Sequence, residues 1–204
     1  MEGIKSLENK KIPDFEDVVA FHGHACPGLA FGFRASLAAL AELGERSEDE
    51  ELVALVENRS CAVDAIQVVT GCTLGKGNLI LPDYGKQVYT FLKRPSGQGV
   101  RIVVKWVSPQ ETAAEQETWK RFSDGDRSPE VMRIIKARKG EKMQEILKAD
   151  QQELFTISHI TAALPEMAQI YPSLICSQCG EKVMEPKTCQ RGEKILCIPC
   201  AEKD

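Results

Sequence analysis

Two groups of histidine and cysteine residues are spaced to hold a metal ion or to activate a thiol. The first is Cys176-Ser-Gln-Cys179, followed after seventeen residues by Cys197-Ile-Pro-Cys200. Each Cys-x-x-Cys pair can put two sulfurs on one metal, and the loop between the pairs can fold back to bring them together. Four thiolates at about 2.3 Å close the shell of a tetrahedral Zn²⁺. A tail this short cannot bury a useful core, so the metal must supply much of its folding free energy. Cys189 lies inside the loop and could replace another ligand, but the symmetric pairs Cys176/Cys179 and Cys197/Cys200 are the simpler assignment.

The second group is His22-Gly-His-Ala-Cys-Pro-Gly28. His22 and His24 are two apart, and an extended backbone would turn both to one side. Pro27 disfavours helical geometry at Cys26 and suits the first position of a following helix, which makes Cys26 the expected N-cap. A thiol there faces unpaired backbone N–H groups and the positive end of the helix dipole, and both favour the thiolate. A thiolate beside imidazoles is a soft metal site or an activated nucleophile. Gly28 and Gly32 would allow another backbone or a ligand to come close to this helix.

A further segment, residues 61–78, carries Cys61, Asp64, Gln67 and Cys72 on and around a short apolar helix. The turn after it is rich in glycine, with Lys76 its one cation. It is not a phosphate-binding P-loop. Only three residues separate Gly71 from Gly75, and Gly77 stands where the Mg²⁺-binding Ser or Thr belongs.

These residues suggest an open metal site in which His22, His24 and Cys26 are joined by Cys61 or Cys72. A catalytic metal keeps one position free for water or substrate. Asp64 would orient a ligand imidazole or take a proton, and Lys76 would hold an anionic group of a small-molecule ligand. Zinc is the first choice of metal, and copper, nickel and iron also accept thiolate with imidazole. The alternative is thiol redox or group transfer, with Cys26 as nucleophile and Cys72 or Cys61 as the resolving thiol. A third reading is a non-catalytic module whose tail docks a protein partner. Cys61 read alone is equally a small buried hydrophobe.

The elements that must position these groups follow from periodicity and breakers. Residues 14–21 read as a short helix capped by Asp14. Residues 27–43 read as the clearest helix, with Leu29, Phe33, Leu37 and Leu40 at three- and four-residue steps and Gly44 as its stop. Residues 52–57, 87–93, 100–107 and 155–160 read as strands, and 94–99 as a hairpin turn. Residues 63–70, 111–122, 128–138 and 141–149 read as helices, with Gly125 and Gly140 as breaks. His159, Trp106 and Trp119 read most simply as core residues. The fold class is therefore α+β: a small antiparallel sheet packed with helices over residues 1–168. Residues 165–172 form a linker, and a zinc-ribbon or treble-clef-like domain occupies 172–204.

Composition excludes several functions. With 43% hydrophobic and 27% charged residues, the chain can bury one substantial core plus an appendage. Its net charge of -4, and a tail with five basic and five acidic residues, offer no basic face to nucleic acid. The N-terminus lacks the apolar stretch of a signal peptide, and no apolar run approaches a membrane span. The expectation is a cytoplasmic protein, where clustered cysteines read as ligands or catalytic groups before disulfides.

The stretch His22-Gly-His-Ala-Cys-Pro-Gly-Leu-Ala with Gly32 and Arg34, followed by Cys-x-x-Asp-Ala-Ile-Gln…Thr-Gly-Cys-Thr-x-Gly-Lys-Gly-Asn from Cys61 to Asn78, resembles the FmdE family of formylmethanofuran dehydrogenase. That resemblance implies an α+β core followed by a zinc-finger domain, a homodimer, and a metal-binding active site near the His/Cys motif. The family's name comes from a molybdenum- or tungsten-dependent enzyme. A pterin-bound centre needs far more protein than this chain, so within such an oxidoreductase complex the chain would be an accessory component and not the catalytic one.

Overall fold

The computed structural model describes residues 12–44 and 46–203. The N-terminal stretch read above for a targeting signal lies outside them. The chain divides into two compact units, Met1–Met167 and Ala168–Asp204.

In the larger unit, helix α1 (Phe15–His22) starts where a capping box starts it. The Asp14 carboxylate accepts the N–H groups of Glu16 and Asp17, and Asp17 accepts the N–H of Asp14 in return. It ends at Gly23, whose left-handed φ of 93° a residue with a Cβ adopts only at a cost. Helix α2 (Pro27–Leu43) begins at the expected N-cap: the Cys26 sulfur accepts the N–H of Leu29 at 3.4 Å. Its buried face is mostly small, with Ala30, Ala35, Ala38 and Ala39 beside Leu29 and Leu40. Small side chains let helix axes approach, and α2 packs closely on α3 (Ala62–Thr70).

Strands β1 (Leu52–Val56), β2 (Leu79–Ile80), β3 (Val88–Lys93), β4 (Gln98–Val104) and β5 (Phe155–Thr161) form one sheet in the order β2-β1-β3-β4-β5. Alternation puts Ala54, Phe91 and Val100 opposite one another on the face that joins the core beneath the helices. Four of the strands pair antiparallel. The edge strand β2 lies parallel to β1, a pairing that two residues are too few to announce in sequence. Helices α4 (Ala113–Ser123), α5 (Pro129–Lys148) and α6 (Gln151–Leu154) lie between β4 and β5. The Arg34 guanidinium on α2 donates to the carbonyls of Ile146, Leu147 and Ala149 at 2.7–2.8 Å. It thereby satisfies the C-terminal carbonyls of α5 and ties that helix to α2.

Two expectations fail here. Gly140 does not break the chain into two helices, because α5 runs through it. One interior glycine costs only about 1 kcal/mol against alanine, and Val131, Ile135 and Ile146 bury the same helix on both sides of it. His159 is not a core residue. It sits on the edge strand β5, largely exposed, with Nε2 3.0 Å from Glu42 Oε2. Among the described residues no helix is long and apolar enough to cross a membrane.

The smaller unit contains two hairpins: β6 (Ser173–Ile175) with β7 (Lys182–Met184), and β8 (Thr188–Arg191) with β9 (Lys194–Cys197). A single helical turn, α7 (Ile198–Ala201), follows. Its buried apolar cluster is Cys176, Leu196, Cys197, Cys200 and Ala201.

Candidate functional site

The tail sulfurs converge. Cys176 follows β6, Cys179 lies in the turn to β7, Cys197 ends β9 and Cys200 sits in α7. The four Sγ atoms lie within 4.8 Å of one another, with Cys179 and Cys197 at 3.9 Å. A tetrahedron with arms of about 2.3 Å has an edge of about 3.8 Å, so the cluster has the size of a four-thiolate zinc site. Backbone N–H groups of Cys179, Cys197 and Gln178 lower the Cys176 thiol to about 6. Contact with the Cys197 sulfur, reinforced by burial, pushes Cys200 up to about 12. Four crowded sulfurs do not all ionise without a cation among them. Cys189 packs against this cluster but is not one of the four.

In the larger unit a second group forms where α1 ends, α2 begins and α3 begins. One ring nitrogen of His22 and the sulfurs of Cys26 and Cys61 lie within 4.8 Å of one another. His22 is the last residue of α1, held there by the turn at Gly23. Cys26 opens α2, and Cys61 is the residue before α3. Their meeting depends on the α2 glycines. A Cβ on Gly32 would lie 2.6 Å from Ala62 Cα, and one on Gly28 would lie 3.3 Å from Cys61 Cβ. Gly32 admits the α3 backbone at Ala62, and Gly28 admits Cys61 just ahead of it.

The ring of His22 is fixed from behind. Its Nδ1 lies 2.7 Å from Asp64 Oδ2, which is one turn into α3. Its Nε2 is buried and has no hydrogen-bond partner. Leaving such an atom unsatisfied costs about 1–3 kcal/mol. A carboxylate on one imidazole nitrogen and a metal on the other is the usual order around metal-bound histidine. Burial raises the Cys61 thiol, and the neighbouring Cys26 and Asp64 raise it further. Two sulfurs beside an orphaned imidazole nitrogen fit a cation, and they fit a soft one.

Other expected site residues are not brought to this group. Cys72 lies beyond the far end of α3 from Cys61, a helix of nine residues that spans about 13 Å. It is fully buried, with its S–H directed to the Leu52 carbonyl at 3.4 Å. It is therefore neither a ligand nor a resolving thiol for Cys26 in this fold. Burial pushes the Cys72 thiol up to about 11. In native protein Cys72 is expected to resist alkylation at pH 8 for hours and to react within minutes in denaturant; fast native labelling, read by mass spectrometry, would contradict that. Lys76 is also beyond the C-terminal end of α3. Its ammonium donates to the Glu48 carbonyl at 3.1 Å. The glycine-rich loop closes on itself: the Asn78 side chain accepts the N–H of Thr73 and donates to the carbonyls of Leu52 and Asp49. It works as a structural turn, and Lys76 holds no ligand at the His/Cys group. His24 is adjacent but not one of the three. The left-handed turn at Gly23 carries it out of α1, and its exposed ring packs on that of His22 with centroids 4.5 Å apart. The extended run expected for residues 22–24 is absent.

Two cavities reach the group. One is an open cleft of about 440 Å³ lined by His22, Cys61, Asp64, Arg59, Ser60 and Leu81. The other, about 800 Å³ and mostly apolar, is bordered by His24 and Cys26 on one side and by α5 and Phe122 on the other. The second was not legible in sequence, because it lies between helices more than ninety residues away from Cys26 in the chain.

Residues 21–156 match the family model described as "FmdE, Molybdenum formylmethanofuran dehydrogenase operon", and residues 169–204 match "Prokaryotic dksA/traR C4-type zinc finger". An Archaeoglobus fulgidus protein named "Probable S-adenosyl-L-methionine-binding protein" is 32% identical over 222 residues, covering 97% of this chain. The chain spans only 58% of that relative's length. The crystal structure of a tungsten formylmethanofuran dehydrogenase FmdE-like protein from Syntrophus aciditrophicus aligns with a TM-score of 0.58 at 22% identity, over 97% of this chain and 98% of that one. At that identity the likeness is one of fold.

Proposed function

On the premise that this chain belongs to the FmdE family and ends in a C4-type zinc finger, we propose that it holds a second metal, in the core, at which a small molecule binds and reacts. The ligands are His22 Nε2, Cys26 Sγ and Cys61 Sγ. The observation that carries this reading is the buried, unpartnered Nε2 of a histidine whose Nδ1 is already engaged by Asp64, in a group with two sulfurs. A zinc-type ion with three protein ligands and an open position supplies Lewis acidity or a water of lowered pKa. Asp64 holds the His22 ring in one tautomer and orientation. Cys26 is fixed at the N-terminus of α2, where its sulfur accepts the N–H of Leu29. The cleft beside Cys61 and Asp64 gives a substrate access.

Metal analysis of purified chain is expected to give about two ions per molecule, one in each group. His22→Ala or Cys61→Ser should lower this to one, and Asp64→Asn should weaken the core ion about 10- to 100-fold. A single ion unaffected by all three substitutions would overturn the proposal.

Thiol chemistry at Cys26 is the second reading, since Cys61 is close enough to serve as its partner. Alkylation with and without chelator separates the two. A ligated Cys26 is protected until the chelator is added, whereas a free thiolate reacts at once. The FmdE resemblance also carries an expectation of a homodimer and of a place beside a larger oxidoreductase. The function proposed here requires neither.

The A. fulgidus relative's printed name points to S-adenosylmethionine. That molecule sets a sulfonium and an ammonium against a single carboxylate, a net positive charge that the cations Arg133, Lys136 and Lys139 around the larger cavity disfavour. We therefore do not place it there.

A further inference from the structure

We propose that the larger cavity, between α5, the end of α4 and the His24–Cys26 turn, binds a small organic anion with an apolar body. We infer further that this is the ligand class presented to the core metal; that second step rests on the function proposed above, and the first does not.

The walls supply the apolar half. Phe122, Met132, Ile135 and Met143 line the cavity, and the two methionines can repack around different shapes. A volume of about 800 Å³ lies within the range of small-molecule sites. Charge supplies the other half. Arg133, Lys136 and Lys139 line it, and none of its lining residues is a carboxylate. Among the described residues neither Arg133 nor Lys136 makes an ion pair. The Lys139 ammonium lies 5.1 Å from the centre of the Phe122 ring, which puts a cation at the apolar wall. A carboxylate, sulfonate or phosphate ester on an aromatic or branched aliphatic body satisfies both halves.

Gly140 gives an independent indication. It lies inside α5, where alanine would be about 1 kcal/mol better. A Cβ added to it meets nothing within 4 Å, so no packing inside the chain asks for glycine. Gly140 lines the cavity, and what its bare backbone leaves is room there. A local rule broken without a structural gain marks a position shaped by function. Cys26 and His24 form the opposite border, so a ligand filling this space comes up to a core metal ligand.

The test uses the full metal-loaded chain and two fluorescent probes of like shape: the anion 8-anilinonaphthalene-1-sulfonate and the neutral N-phenyl-1-naphthylamine. The expected result is one anionic probe per chain, bound at least tenfold more tightly than the neutral one. Gly140→Phe, and separately the pair Arg133→Glu and Lys136→Glu, should each weaken the anionic probe at least tenfold with helicity unchanged by circular dichroism. The charge-reversed pair leaves the cavity volume intact, so it reports even if Gly140→Phe does not fold. Cys61→Ser, which removes a proposed metal ligand outside this cavity, should keep the probe affinity within threefold. The binding site therefore stands or falls apart from the metal. Equal affinity for both probes, or unchanged binding in the folded variants, would overturn the proposal. So would binding that appears only as the chain associates with a second copy.

Discussion

Cys197→Ser is expected to unfold residues 168–204 and leave the larger unit with its own melting transition. Three of the five residues in the tail's buried cluster are cysteines of the four-sulfur group, and only Leu196 and Ala201 are left to act as core. Two side chains cannot offset the conformational entropy of ordering two short hairpins and one helical turn, so the folding free energy of this unit comes from its structural zinc. Serine offers a weak, protonated ligand in place of a thiolate, and at Cys197 it also breaks a pair. The expected readout is collapse of amide dispersion for the tail resonances, with rapid tryptic cleavage after Lys182 and Lys187. Chelator should reproduce it in the unmutated chain. Tail resonances that stay dispersed after the metal is gone would refute this account.

Gly32→Ala is expected to destabilise the larger unit by about 1–3 kcal/mol and to empty the core metal group. The added methyl would sit 2.6 Å from Ala62 Cα and 2.9 Å from its carbonyl carbon. Carbon atoms settle at about 3.5–4.0 Å, so one helix must move away from the other by much of an ångström. These are backbone atoms and cannot rotate aside. Cys26 opens α2 and Cys61 immediately precedes Ala62, so the separation falls on the two sulfurs of the proposed site. The matched control is Gly140→Ala. There the same substitution meets open space, and the helix gains up to about 1 kcal/mol. Denaturant midpoints should therefore move in opposite directions for the two variants, and metal content should fall only for Gly32→Ala. A Gly32→Ala protein with the parent midpoint and full metal content would show that the α2–α3 contact has slack that the geometry does not display.

Much of this was readable in the residues themselves. The tail pairs, the Asp14 cap, the Cys26 cap ahead of Pro27, and the run of strands and helices are written in neighbours one to four positions apart. Each depends on interactions that close within one turn of chain, whatever the rest of the molecule does. The same holds for the open approach at Gly28 and Gly32, although not for what would approach. Local pattern misread Gly140, because a modest propensity cost yields to buried side chains on either side of it. It also misread His159, since an apolar strand does not reveal whether it lies at an edge.

The choice among distant donors belonged to packing. Cys61 and Cys72 are alike in sequence, one at each end of the same short helix. Lys76 follows the second of them as plausibly as Asp64 follows the first. Seating α2 on α3 at Gly32 brings the start of α3, and not its end, to His22 and Cys26. Cys72 is thereby consigned to the core and Lys76 to a self-closed loop. The cavity beside Cys26 has the same origin, since it exists only where α5 returns past the start of α2. Short-range stereochemistry sets what each segment becomes. Which ends of those segments meet depends on close contacts among residues far apart in the chain, and no local pattern encodes them.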